Sequence, residues 1–320
     1  MPRRSKRPPD ILLVMFDQLA PQSLPCYGHP VVRAPALARL AREGVVFDAA
    51  YCNLPLCAPA RFAMMAGRLP SRIGAYDNAA ELPASVPTFA HHLRRAGYRT
   101  CLAGKMHFVG PDQLHGFEER VTTDIYPGDF GWTPTWEEPE RVHWWFHNML
   151  SVTEAGAYDR SLEIDYDEEV AFRAERWLLD SARDRDDRPR LLTLSFIHPH
   201  DPYLAPRAYW ERYRDAEIDP PAVGYIPPER RDPASRRLHD LYDRGEYRVS
   251  PRHVRAARRA YYAMITFADD LLARVLAAAA LAAPERETVV IATADHGDML
   301  GERGLWYKMT FFERSVRVPL

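Results

Sequence analysis

The chain has 320 residues, 47% of them hydrophobic and 11% aromatic, with a formal net charge of -2. That is enough apolar material for a large core, in one big domain or two small ones; with both signs of charge abundant and no basic stripe, sequence-independent nucleic-acid binding is not expected and the partner is read as a small molecule. No stretch approaches the length of a membrane span, and four irregularly spaced cysteines (Cys26, Cys52, Cys57, Cys101) do not suggest a disulfide framework, which fits a reducing compartment with the cytoplasm as default.

Residues 1–10, MPRRSKRPPD, read as a disordered basic tail, because the apolar run after them is too short for a signal peptide and ends in Asp17 with no small-residue cleavage site. Five continuous apolar runs follow as buried strands: 11–16, 44–50, 98–104, 191–197 and 288–294. Helical periodicity predicts helices over 35–43, from about residue 57, over 87–96 with Gly97 as the stop, over 168–184, and from about 253 to 282. Continuous rather than alternating strands, separated by helices, predict an α/β fold with a mostly parallel central sheet covered by helices on both faces.

Two stretches lack a sustained period: 121–160, rich in Trp, Tyr, Pro and Gly, and 200–250, rich in Pro, Arg and Asp. Both are too long for ordinary connections and are expected to be functional excursions or lids on a domain spanning 11–320. The final RVPL stops in what reads as the approach to another strand, so the expectation is a chain that continues further.

In parallel α/β sheets, ligands sit beyond the carboxyl ends of the strands. Those ends carry Asp17-Gln18, Lys105-Met-His107, His198-Pro-His200-Asp201 and Asp295-His296-Gly-Asp298. Any one of the aspartates could simply cap the helix after its strand. Together they offer carboxylate, amide and imidazole donors for a divalent cation, leaving lysine and histidine for an anion.

The segment LCAPARFAMMAGR (56–68) places Cys57 where a small-residue helix opens, two residues before Pro59 and four before Arg61. A thiol there should have a lowered pKa, and the helix end could bind an oxyanion. A buried structural cysteine is the bland alternative, and these residues alone leave the two open. Likewise Lys308, beside Trp306 and Tyr307, reads by itself as a snorkelling surface lysine.

Cys-x-Pro-x-Arg followed by Gly67-Arg68 resembles the signature of the type I sulfatases of the alkaline phosphatase superfamily. MFDQ, GKMHFVGPDQLHGFEE, FIHPHDPY and TADHGDMLGERGLWYKMTFFE resemble sulfatase segments in their usual order, over nearly the whole chain. Within the family, YDNAAELPASVPTFAHHLRRAGY and KMHFVGPDQLHGFEERVTTDIYPGDFGWTP look most like choline sulfatases. The resemblance implies that Cys57 is oxidised by a formylglycine-generating enzyme to Cα-formylglycine, whose hydrate attacks sulfur. It implies that Asp17, Gln18, Asp295 and His296 hold a metal, with calcium expected and magnesium or manganese as alternatives. Arg61 would orient the hydrated aldehyde, Lys105 and Lys308 would bind sulfate oxygens, and Asn78 would be a further sulfate contact. His107 would help break down the sulfated intermediate, and His200 would assist the leaving alcohol or bind sulfate. Sulfuryl transfer needs such cations on the nonbridging oxygens and a donor at the leaving alkoxide.

The excursion at 121–160 carries Tyr126, Phe130, Trp132, Trp136, Trp144, Trp145 and His147. Such residues usually form a lid's own small core, yet a quaternary ammonium is bound best by aromatic faces and a nearby carboxylate. By resemblance, Trp132 and His147 are the contacts to the trimethylammonium end of choline sulfate. Ala60 departs from the serine that most type I motifs carry. The family also continues past this point with more strands, a smaller antiparallel sheet and a tail that helps build oligomers, so a homo-oligomer is expected of the full-length protein and poor solubility of a chain ending at Leu320. Two other readings stay open: a phosphonate or phosphate ester hydrolase of the same superfamily, and a non-catalytic relative.

Overall fold

The computed structural model describes residues 7–133, 135, 137–138, 147–242 and 246–320. In chain order its strands are β1 (Asp10–Phe16), β2 (Ala50–Tyr51), β3 (Arg99–Gly104), β4 (Glu119–Arg120), β5 (Gly156–Tyr158), β6 (Arg190–Phe196), β7 (Leu204–Pro206), β8 (Thr288–Ala294) and β9 (Arg317–Val318). The helices are α1 (Pro35–Glu43), α2 (Cys57–Ala66), α3 (Pro70–Ile73), α4 (Phe89–Arg95), α5 (Leu150–Thr153), α6 (Leu162–Arg183), α7 (Arg207–Glu211), α8 (Pro233–Tyr242), α9 (Pro251–Ala282) and α10 (Glu313–Val316).

Four of the five apolar runs, with the short β4 at one edge, form the five-stranded central sheet, in the order β4-β3-β6-β1-β8, with every pairing parallel. Because side chains alternate across a strand, the sheet feeds two cores. Leu12, Val14, Phe16, Leu192, Leu194 and Phe196 pack under α6 and α9. Leu102 and Leu191 pack with Phe62, Met65 and Ala90 of α2 and α4 on the opposite face. In-register parallel pairing, Phe16 with Phe196 and with Ala294, brings the carboxyl ends of three strands to one edge.

The run at 44–50 is a correction. It forms no central strand: Val45 and Phe47 are exposed, and only Ala50–Tyr51 pairs, antiparallel with Arg317–Val318. Both flanks of β1 are taken by β6 and β8. The backbone of the run turns instead to the last residues of the chain, with the Phe47 N–H donating to the Leu320 carbonyl at 2.8 Å.

Helix α6 begins six residues earlier than the periodicity predicts. Ser161 caps it, its hydroxyl accepting from the Ile164 N–H at 3.2 Å, and Glu163 and Asp165 sit in its positive first turn. The two long excursions contain short elements of their own, and β5 pairs with β7 in parallel, so the excursions are tied to each other. All four cysteines are free thiols, and no helix among the described residues is long and apolar enough to cross a membrane.

Candidate active site

The strand ends meet the amino end of α2. Helix α2 has no side-chain cap of its own, and the Ala58 N–H is satisfied by the Asn78 Oδ1 at 3.0 Å. Alanines at 58, 60 and 63 allow it to be buried almost throughout, which presses Cys57 against the sheet edge. The Cys57 Sγ lies 3.3 Å from the His296 Nε2 and 3.8 Å from the Asp17 Oδ1. Burial opposes ionisation of this thiol, but Lys105, Lys308 and His296 outweigh it and hold the pKa well below the ordinary thiol value.

Beneath the thiol, Arg61 spends its guanidinium fork on the sheet edge. Its Nη2 donates to the Asp17 Oδ2 at 2.8 Å, its Nε to the Asp295 Oδ2 at 2.9 Å and its Nη1 to the Ser195 Oγ at 2.9 Å. Lys105 reaches the same Asp17 oxygen at 2.5 Å. Its position depends on Gly104, whose φ is +105° and where a Cβ would stand 1.9 Å from the Ser195 carbonyl oxygen. Burial and the neighbouring thiolate push the Asp17 carboxyl up; Lys105, His200 and Arg61 more than offset this and hold it well below the usual range.

The atoms of Asp17, Cys57, Asp295 and His296 face one another within 4.8 Å, all buried. The His296 Nδ1 lies 3.0 Å from the Gly297 carbonyl, which can only accept, so Nδ1 carries a proton and Nε2 is turned toward Asp17 and Asp295. An imidazole braced in this way between two carboxylates fits a divalent cation. The Gln18 carboxamide is turned elsewhere. With a left-handed φ of 65°, Gln18 donates its backbone N–H to the Asp295 Oδ1 at 3.0 Å, while its Oε1 accepts from the Lys308 Nζ at 2.6 Å and its Nε2 donates to the Asp298 Oδ2 at 2.7 Å and the Asp201 Oδ1 at 3.3 Å.

Above the thiol lies a cavity of about 220 Å³ whose walls include Cys57, Asn78, His107, Tyr126, Trp132, His147, Glu163, His200, Asp201 and Lys308. Lys308 is buried, so the surface-lysine reading is corrected; its Nζ is 2.5 Å from the His200 Nε2. The His200 Nδ1 lies 2.5 Å from the Asp201 carbonyl, which fixes its proton on that side and leaves Nε2 to accept from Lys308. His107, also left-handed with φ 60°, is buried beside the Cys57 thiol, and its ring centroid lies 5.5 Å from Tyr126 and 5.0 Å from Trp132. Trp132 donates its Nε1–H to the Pro127 carbonyl. His147 stacks on Tyr307 at 4.5 Å and meets the Asp201 carboxylate at 3.3 Å. Trp136, Trp144 and Trp145 lie outside the described residues.

The structure thus gathers Asp17, Gln18, Cys57, Arg61, Asn78, Lys105, His107, Trp132, His147, His200, Asp295, His296 and Lys308 around one cavity and the sheet edge beneath it. Sequence reasoning missed residues that hold these in place. Asp124 accepts the backbone N–H groups of Met106 and His107, at 3.0 and 2.8 Å. Asp167 accepts those of Ile197 and His198 and meets the His198 ring at 2.7 Å, which sets the loop before His200. The strand-end rule was the available signal for Asp201 and Asp298; nothing local marks Asp124 or Asp167.

A family model described as Sulfatase matches residues 9–320. The chain is 51% identical over 316 residues to a choline-sulfatase of Rhizobium meliloti (strain 1021), covering 98% of this chain and 62% of that protein, so it spans less than two thirds of that relative's length. It is 28% identical to an arylsulfatase of Clostridium perfringens (strain 13 / Type A), covering 97% of this chain and 67% of the relative. Among solved structures, a phosphonate monoester hydrolase of Agrobacterium radiobacter shares the fold, with a TM-score of 0.72 at 23% identity over 98% of this chain and 67% of that one. With the family match running through the strand ends and the cysteine helix alike, the chain belongs to the sulfatase family.

Proposed function

We propose that the protein is a sulfuric ester hydrolase that splits choline sulfate into choline and sulfate. The observation that carries this reading is the mixed lining of one cavity: the thiol at a helix start, the buried Lys308 and three histidines together with the Tyr126 and Trp132 rings, with Lys105 buried beside Tyr126. Identity of 51% to a choline-sulfatase supports the substrate.

Asp17, Asp295 and His296 would hold a divalent metal, with calcium proposed from the family resemblance, and the metal would supply Lewis-acid polarisation of the sulfuryl oxygens. Cys57, converted by a formylglycine-generating enzyme, would supply a hydroxyl of the hydrated aldehyde as nucleophile. Arg61 keeps the two carboxylates aligned beneath it. Lys105 and Lys308 bring positive charge to the nonbridging oxygens, where charge builds as the ester bond breaks. Lys308 and His200, in contact with each other, stand ready to pass a proton to the leaving alkoxide. His107, buried beside the Cys57 position, takes a proton when the sulfated intermediate breaks down. We further propose that the full-length protein is a cytoplasmic homo-oligomer, consistent with four free thiols.

The test is production beside a formylglycine-generating enzyme, the mass of the peptide ending at Arg61, and comparison of choline sulfate, 4-nitrophenyl sulfate and a phosphodiester as substrates. The expected result is an aldehyde or hydrate mass and the highest kcat/KM on choline sulfate. A better aryl sulfate defeats the choline assignment, a better phosphodiester favours the phosphoryl reading, and an unmodified thiol beside a converted control removes the nucleophile.

A further inference from the structure

The cavity wall contains an acid that no step above uses. Glu163 lies in the first turn of α6 and lines the cavity with Tyr126, Trp132 and His147. It is half-buried and, among the described residues, has no hydrogen-bond or ion-pair partner. Its neighbours on the same helix are engaged: Asp165 with Arg160 at 2.6 Å, Glu168 with Arg274 at 3.0 Å and Glu169 with Arg173 at 3.4 Å. The first turn of a helix favours an acid, but Asp165 already meets that preference, so the dipole does not require a carboxylate facing the cavity.

The other acid that lines this cavity among the described residues is spoken for. Asp201 is held by His147, Ser151 and Gln18 at 3.3 to 3.4 Å. The lining cation, Lys308, is likewise paired, with Gln18, and Lys105 behind the wall is paired with Asp17. Glu163 is therefore the wall's uncommitted negative charge. It comes from a rigid 22-residue helix and stands among aromatic side chains, where a cation that cannot donate hydrogen bonds is best held.

We propose that Glu163 is a specificity-determining residue that selects cationic over neutral sulfate esters by facing the positive end of the substrate's alcohol. This rests on the choline sulfate reading above. A partly desolvated carboxylate near a fixed cation is worth roughly five- to tenfold in affinity.

The experiment compares binding of choline sulfate with that of 3,3-dimethylbutyl sulfate, in which carbon replaces nitrogen and the shape is kept while the charge is lost. Calorimetry on the full chain with Cys57 left as a thiol avoids turnover. The wild type should bind choline sulfate more tightly, and Glu163→Gln should cut that preference about tenfold while leaving the neutral isostere within about twofold, which also shows that the fold is intact. An unchanged preference in Glu163→Gln overturns the role of Glu163 and leaves the choline sulfate reading standing. A wild type that shows no preference, or binds neither ester, overturns both.

Discussion

The opening of α2 shows how much chemistry one residue draws from its neighbours. Cys57 is an ordinary thiol in composition; buried against Lys105, Lys308 and His296 it becomes an easily ionised one. If the proposed reaction holds, replacing it with alanine should abolish sulfate release, by at least about a thousandfold, because the proposed nucleophile is lost, while thermal unfolding shifts little; residual turnover near the wild-type rate would remove Cys57 from the reaction. Arg61 behaves in the opposite way. Its fork closes on Asp17 and Asp295 in a fully buried setting, so Arg61→Met leaves two buried carboxylates short of a partner and should cost about 3 to 5 kcal/mol of stability in urea unfolding. The Cys-x-Pro-x-Arg spacing was legible in the sequence, as was the lowered thiol pKa it implies. That the arginine grips the two aspartates that follow β1 and β8 was not, because those partners lie 44 and 234 residues away.

Elements are held in place by the same long reach. Helix α1 has Ala34 before it and no side-chain cap. Its Ala36 and Leu37 N–H groups instead donate, each at 2.8 Å, to the two oxygens of Asp269 in the middle of α9. Burial lifts the Asp269 carboxyl from 3.8 to about 6, against the pull of those two donors. A carboxyl whose folded value is raised contributes stability that is complete below about pH 4 and is lost as pH climbs through about 6. The stability of the wild type relative to Asp269→Asn should therefore fall across that window, by up to about 3 kcal/mol; parallel urea midpoints from pH 4 to pH 7 would exclude the effect. The helix at 35–43 was readable from its periodicity, but its cap was not.

At the scale of the whole molecule, parallel pairing decides that the strand ends meet. Asp17, Lys105, His200 and Asp295 come from four different strand ends and share a site because β3, β6, β1 and β8 lie side by side in one direction. The His296 Nε2 faces two carboxylates, a donor set that fits a divalent cation. Dialysis against EDTA should lower sulfate release from choline sulfate at least about tenfold, with calcium restoring it; activity that survives chelation with no metal left by elemental analysis would show that the carboxylates act through Arg61 and Lys105 alone.

By itself the sequence determined the alternation of apolar strands with amphipathic helices, the α/β class, the residues at each strand end and the cysteine motif. These are short-range properties, written in hydrophobic runs, helix stops and spacings of a few residues. The tertiary structure alone decided that the apolar run at 44–50 stays out of the sheet, that Lys308 is buried against His200, that the Gln18 carboxamide turns to Asp298 and Lys308, and that Glu163 is left unpaired at the cavity wall. Gln18 and Lys308 stand 290 residues apart. No local pattern carries such a contact, because hydrogen-bond partners are fixed by which neighbours the packed sheet leaves within about 3 Å.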